Sequence, residues 1–176
     1  MPRHVAFLRA VNVGKRRMEM AELRRVLEAA GLDDVSTYIA SGNAIFSSAK
    51  RSTTLEPLVE AAIEEAFGFL AEAFIRPADQ VVEIAGRTPF GSIDSGTTHL
   101  AVFLRTAPSA AEAKAIEAMS GEKDELKVIG AEVHWHIEGK SLDTLLKPKD
   151  WKAAGAALNT GRNMTMLRKL ADRISG

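Results

Sequence analysis

No cysteine occurs among the 176 residues. Disulfide staples, thiolate metal sites and a cysteine nucleophile are therefore all excluded. Surplus charge is also missing, because 23 basic residues stand against 23 acidic ones. A protein that coats long nucleic acid by charge alone is more basic than this, so any such contact must use a local patch. Aromatics are scarce, with one Tyr, two Trp and seven Phe, which leaves few rings for stacking bases. No apolar run approaches membrane-spanning length. Met1 to His4 lead straight into a strand pattern without the layout of a signal peptide. The expected location is the cytoplasm, with no membrane partner.

What is present suits a globular protein: 46% of residues are hydrophobic and 26% charged. The length allows one domain with a real core or two fused small halves. Residues 5–11 are apolar on both faces, the pattern of a central strand. Met20, Leu23, Leu27 and Ala30 then recur at helical spacing, and Gly31 is a stop. Residues 35–39 and 44–46 read as strands around the turn formers Ser41-Gly42-Asn43. Thr53 to Glu56 fit a capping box that opens a second helix, closed by Gly68. Residues 71–75 read as a fourth strand. This order, strand-helix-strand-strand-helix-strand, is the ferredoxin-like unit.

A short helix over 77–85 follows, then a connector at 87–98 with Pro89 and several turn residues. The second half opens at 99–105, where Phe103-Leu104-Arg105 repeats Phe7-Leu8-Arg9. Ser109 to Glu112 fit another capping box. A hairpin is expected at 126–129 and 132–137 around Gly130-Ala131. Residues 141–147 and 150–157 look helical, broken at Pro148, and 159–161 reads as a turn. Leu167, Leu170 and Ile174 give a last helix its stripe. No fourth strand is legible here. The expected organisation is therefore a first half at 1–86, a connector at 87–98, and a second, incomplete half at 99–176 ending in helices.

Three segments carry a family likeness: Phe7 to Gly14, Met18 to Leu23, and Thr37 to Asn43. In this order they resemble the bacterial family known as domain of unknown function 1697. Thr88-Pro89-Phe90 is similar to its middle motif, and Arg162-Asn163 with Lys169-Leu170 to its C-terminal one. Ala10 stands where the family carries glycine, Lys15 replaces the second of a glycine pair, and Met164-Thr165-Met166 replace Trp-Asn-Thr. The resemblance implies an α+β fold of two ferredoxin-like βαββαβ-type halves with largely antiparallel sheets. It implies no activity.

Arg9, Asn12, Gly14, Lys15, Ser41, Gly42 and Asn43 fall at strand ends that such a fold brings together. Arg offers a planar fork for phosphate or carboxylate, Lys a point charge, and Ser and Asn orienting hydrogen bonds. The plainer reading makes the Asn and Gly residues turn formers and Arg9 a structural partner. Thr160 to Asn163, at the expected start of the last helix, place Arg162 and Asn163 where free N–H groups attract anions. Simple N-capping is the alternative there. His134 and His136 share a strand face, and His99 and His4 sit near other strands. Three imidazoles suit zinc, but no carboxylate pattern completes a motif, so no metal and no cofactor is expected. Gly139-Lys140-Ser141 lacks the earlier glycine of a phosphate loop. Ser41 lacks a nucleophile elbow, and Glu64-Glu65 fall on a helix surface. No residue is singled out as catalytic. The leading expectation is a phosphate-bearing small molecule or nucleotide in a basic cleft where the two clusters converge. The second is a non-catalytic module that binds RNA or a protein through an open sheet face, which rests on analogy of fold.

Overall fold

The computed structural model describes residues 1–39, 42–92 and 94–176. The chain runs β1 (Arg3–Leu8), α1 (Met20–Ala29), β2 (Asp33–Thr37), β3 (Asn43–Ser47), α2 (Ser52–Phe67) and β4 (Ala73–Pro77). α3 (Ala78–Gly86) leads to β5 (Thr97–Phe103), α4 (Ala110–Glu117), β6 (Asp124–Ile129) and β7 (Glu132–Glu138). After a 3-10 turn at Ser141–Asp143 come α5 (Pro148–Ala153), β8 (Thr160–Asn163) and α6 (Met164–Ser175). The first sheet has the order β2-β3-β1-β4 and the second β6-β7-β5-β8. All strand pairs are antiparallel. Counted by rank within each half, both sheets read second-third-first-fourth, and both halves read βαββαβ. The fold is α+β. Two compact units result, one of residues 1–83 with 173–176 and one of 84–172.

Alternation along the strands explains each core. In the first unit Ala6, Leu8, Ala44, Phe46, Ala73 and Ile75 face Leu23 and Leu27 of α1 and Leu55, Val59 and Ile63 of α2. In the second, Val102, Leu104, Leu126 and Val133 pack with Ile116 and Trp151. Outer strands present unpaired N–H groups that need partners. On β4, Ala73 N donates to Glu60 Oε1 at 2.9 Å and Ile75 N to Glu56 Oε1 at 3.2 Å, both from α2. On β6, Leu126 N donates to Ser120 Oγ and Val128 N to Glu117 Oε1, each at 2.9 Å. Each unit thus covers one sheet edge with side chains from the end or face of its first or second helix.

Several expectations need correction. The second half is not incomplete, because residues 160–163 are strand β8 rather than a turn and a helix start. β8 pairs with β5 from Leu100↔Asn163 to Phe103↔Thr160. Its sequence hides this, since the buried positions are the polar Thr160 and Arg162. α2 begins at Ser52 without a side-chain cap. Glu56 is buried and serves β4 instead of closing a capping box. Pro148 starts α5 instead of breaking a helix, as suits a residue without an N–H. The Ser109–Glu112 capping box is present as expected.

Candidate functional site

Beyond Leu8 the chain leaves β1 and turns through three left-handed residues, Ala10, Asn12 and Gly14, with φ of 55°, 56° and 57°. Asn12 clasps the loop shut: its Oδ1 accepts from Met18 N at 2.8 Å and its Nδ2 donates to Met18 O at 3.1 Å. Val11 and Met18 tuck inward as buried anchors. A left-handed residue next to a right-handed one turns successive N–H groups to one side, as in anion-binding nests, and this loop has a left-handed residue at every second position from 10 to 14. The start of β4 comes alongside, where Arg9 N donates to Glu72 O at 2.9 Å. Arg16 Nη1 donates to Leu70 O at 3.3 Å, and its guanidinium lies 5.6 Å from the Phe69 ring centre.

These segments enclose an open hollow of about 620 Å³, lined by Arg9, Ala10, Gly14, Lys15 and Arg16 with Glu72. Its size falls in the range of small-molecule sites. Arg9 and Glu72 are half-buried and Lys15 is exposed. The side chains of these three make no hydrogen bond or ion pair with any described residue. Three of the expected residues, Arg9, Gly14 and Lys15, thus line one hollow.

The other expected residues of this unit build its walls. Leu8 N donates to Gly42 O at 2.9 Å, which brings the β2–β3 hairpin onto the end of β1. A Cβ on Gly42 would sit 3.1 Å from Leu8 Cβ and 3.2 Å from Val11 Cβ, at a φ of +82°. Asn43 is fully buried, and its Nδ2 donates to Tyr38 O at 3.0 Å. Gly42, Asn43 and Asn12 shape loops, the plainer reading of each. Ser41 lies outside the described residues. Tyr38, the one tyrosine of the chain, has the Arg173 guanidinium 5.5 Å from its ring centre. Ala10 lies in the first family-like segment, and Glu72 was not singled out by the sequence. Arg16 was legible within the run Lys15-Arg16-Arg17, whereas Glu72 carries no local signal and arrives through the β1–β4 pairing.

Arg162 and Asn163 belong to the second unit. Arg162 is buried in β8, and its Nη1 donates to Thr160 Oγ1 at 2.8 Å and to Gly161 O at 2.9 Å. Burial lowers its pKa from 12.5 to about 10, so it stays charged at neutral pH. Asn163 Oδ1 accepts from Thr165 N at 2.8 Å, the N-cap of α6. On the sheet face away from the α4 and α5 core, His99 and His134 approach to 3.2 Å between Nε2 and Nδ1. Phe90 packs on His99 and His136, with centroids 5.0 and 5.6 Å away. Glu132, also on this face, is buried and paired to Arg87 at 3.0 Å. Burial chiefly, with nearby Arg168 and His136, lowers the His99 pKa to about 4. Burial, with His99 and Arg87, does the same to His134. Both rings are neutral at pH 7. Among the described residues, no group of three or more His, Asp or Glu is arranged to hold a metal ion. No helix among them is long and apolar enough to cross a membrane.

The molecule is thus a two-unit α+β protein with an open basic hollow at the end of one central strand. The chain belongs to the family described as Protein of unknown function (DUF1697), whose sequence model matches residues 1–134. That stretch contains the whole hollow and stops short of Arg162. No curated protein matches the chain. Among solved structures it is similar to the conserved bacterial protein SP0830 from Streptococcus pneumoniae, at 22% identity and a TM-score of 0.80. The likeness covers 100% of this chain and 99% of that one. It concerns the fold.

Proposed function

We propose that the protein binds a phosphate-bearing small molecule in the hollow of its first unit. Arg9 and Lys15 grip the anion, and N–H groups of the 10–14 loop face it. One observation carries this reading: the side chains of Arg9, Lys15 and Glu72 line the hollow without pairing to one another or to any other described residue. A structural arginine at the end of a strand is ordinarily tied to a carboxylate or a carbonyl, and among the described residues the Arg9 side chain is tied to neither. Arg162 and Asn163 are left out, because their polar groups serve β8 and α6.

The alternative, an RNA or protein module using a sheet face, has less support. On the first sheet the face away from α1 and α2 carries Val5, Phe7, Ile45 and Phe74, none more than 1% exposed. A polyanion would instead have to lie along the exposed Lys15, Arg16 and Arg17.

Calorimetric titration with inorganic phosphate, nucleotides and short RNAs at two salt concentrations tests the proposal. Saturable one-to-one binding of a phosphate compound is expected, weakened about tenfold or more by Arg9→Ala. The unfolding midpoint of that variant should match the wild type. Binding only of RNA, with steep loss in salt, would move the function to the alternative. Unchanged affinity in Arg9→Ala would remove the hollow from consideration.

A further inference from the structure

Glu72 is the part of the hollow that phosphate binding alone leaves unexplained. A carboxylate repels a bound phosphate, and this one is not held in an ion pair with its basic neighbours, since its side chain pairs with no described residue. An ionised carboxylate is an acceptor only. Half-buried beside a phosphate, it fits a ligand that brings hydrogen-bond donors next to its anionic group.

Two features narrow the donor. Arg9, Lys15 and Arg16 against Glu72 leave a surplus of two positive charges around the hollow. A phosphate monoester carries roughly −1.5 to −2 at neutral pH, so the charges balance without a cation on the ligand. The donor is then a hydroxyl rather than an ammonium. Phe69, the ring beside Arg16, already has that guanidinium over its face, so it is not a bare platform for a nucleobase.

We propose that Glu72 determines specificity by accepting hydrogen bonds from hydroxyl groups of the ligand, which makes the ligand class a phosphorylated polyol such as a sugar phosphate. This rests on the reading of the hollow as a phosphate site. Arg9 and Lys15 hold the phosphoryl group, and Glu72 takes the adjacent hydroxyls. Phosphate compounds without hydroxyls meet Glu72 as a repulsive group.

The test uses the full chain, wild type and Glu72→Gln, titrated with methyl phosphate, glycerol 3-phosphate and ribose 5-phosphate at fixed pH and ionic strength. Wild type should bind the two hydroxylated esters about tenfold or more tightly than methyl phosphate, the contribution of a charge-assisted hydrogen bond. Glu72→Gln should erase that preference, tightening methyl phosphate several-fold and weakening ribose 5-phosphate about tenfold. Urea unfolding of the variant should be unchanged, because the Glu72 bond to Arg9 uses the backbone carbonyl. Equal binding of all three esters by wild type, or a uniform change across them in the variant, overturns the role of Glu72 and leaves the phosphate site standing. Failure of wild type to bind any of the three overturns both.

Discussion

The chain spells Phe-Leu-Arg twice, at the end of β1 and at the end of β5, and the two copies fold alike up to the arginine. Leu8 N donates to Gly42 O and Leu104 N to Ala131 O, each at 2.9 Å. Phe7 lies opposite Asn43 and Phe103 opposite Glu132, all four fully buried. Beyond Arg9 and Arg105 the two corners part. Loop 9–19 is long, left-handed at three positions and basic, and its hollow measures about 620 Å³. Loop 104–109 is short and ends at once in the Ser109–Glu112 capping box. The hollow beside it measures about 160 Å³ and is lined by Arg105 and Glu112 among largely apolar neighbours, including Leu104, Ile116 and Leu158. The strand motif positions an arginine in both units. The loop that follows decides whether that arginine faces a space large enough for a ligand.

The largest expected effect separates the units by acid. His99 and His134, on the second sheet, have pKa values of about 4, below the 6.5 of an ordinary histidine. The unfolded chain therefore takes up protons that the native state refuses. Stability is fully present above pH 6.5 and falls as pH drops toward 4, by up to about 1.4 kcal/mol per pH unit for each histidine. Urea unfolding at pH 7, 6 and 5 should show the decline, and His134→Gln should flatten it. An equal slope in that variant would place the acid sensitivity elsewhere.

Next in size is the hairpin residue that meets each leucine. Gly42→Ala forces a methyl group against Leu8 and Val11 at a left-handed φ, and should cost about 2–3 kcal/mol. Ala131 makes the same bond without a left-handed φ. Ala131→Gly should cost less than about 1 kcal/mol, an entropic loss only. Chemical denaturation of both variants checks the pair, and similar costs would mean that the two corners are not packed differently.

Legibility in the sequence followed the same division. The first half could be ordered because its strands are apolar and its turns carry Gly and Asn at short range. β6 and β7 were legible around Gly130-Ala131 for the same reason. β8 was not, since Thr160 and Arg162 are buried through pairing with β5, a contact set by residues some sixty positions away. Glu56 looked like a local cap because the motif has the right spacing, but the carboxylate is used across the unit by Ile75 N. At the site, Arg9, Gly14 and Lys15 could be found because strand ends and a left-handed loop are local features. Glu72 could not, because only the β1–β4 register, Leu8↔Ala73, brings it there.

The smallest effect bears on how the loop of the larger hollow is held. Ala10 occupies a left-handed conformation with φ of 55°, which glycine adopts without steric cost. An L-residue there costs roughly 1–2 kcal/mol in its folded conformation. Glycine relieves that strain but adds freedom to the unfolded chain, worth about 0.4–1 kcal/mol in the other direction. Ala10→Gly should therefore stabilise the protein by at most about 1.6 kcal/mol. Ala10 lines the hollow through a small side chain, so phosphate affinity should change by less than about threefold if Arg9 and Lys15 make the grip. A larger loss of affinity at unchanged stability would mean that the rigid left-handed backbone, and not the two cations, sets the geometry by which the first corner differs from the second.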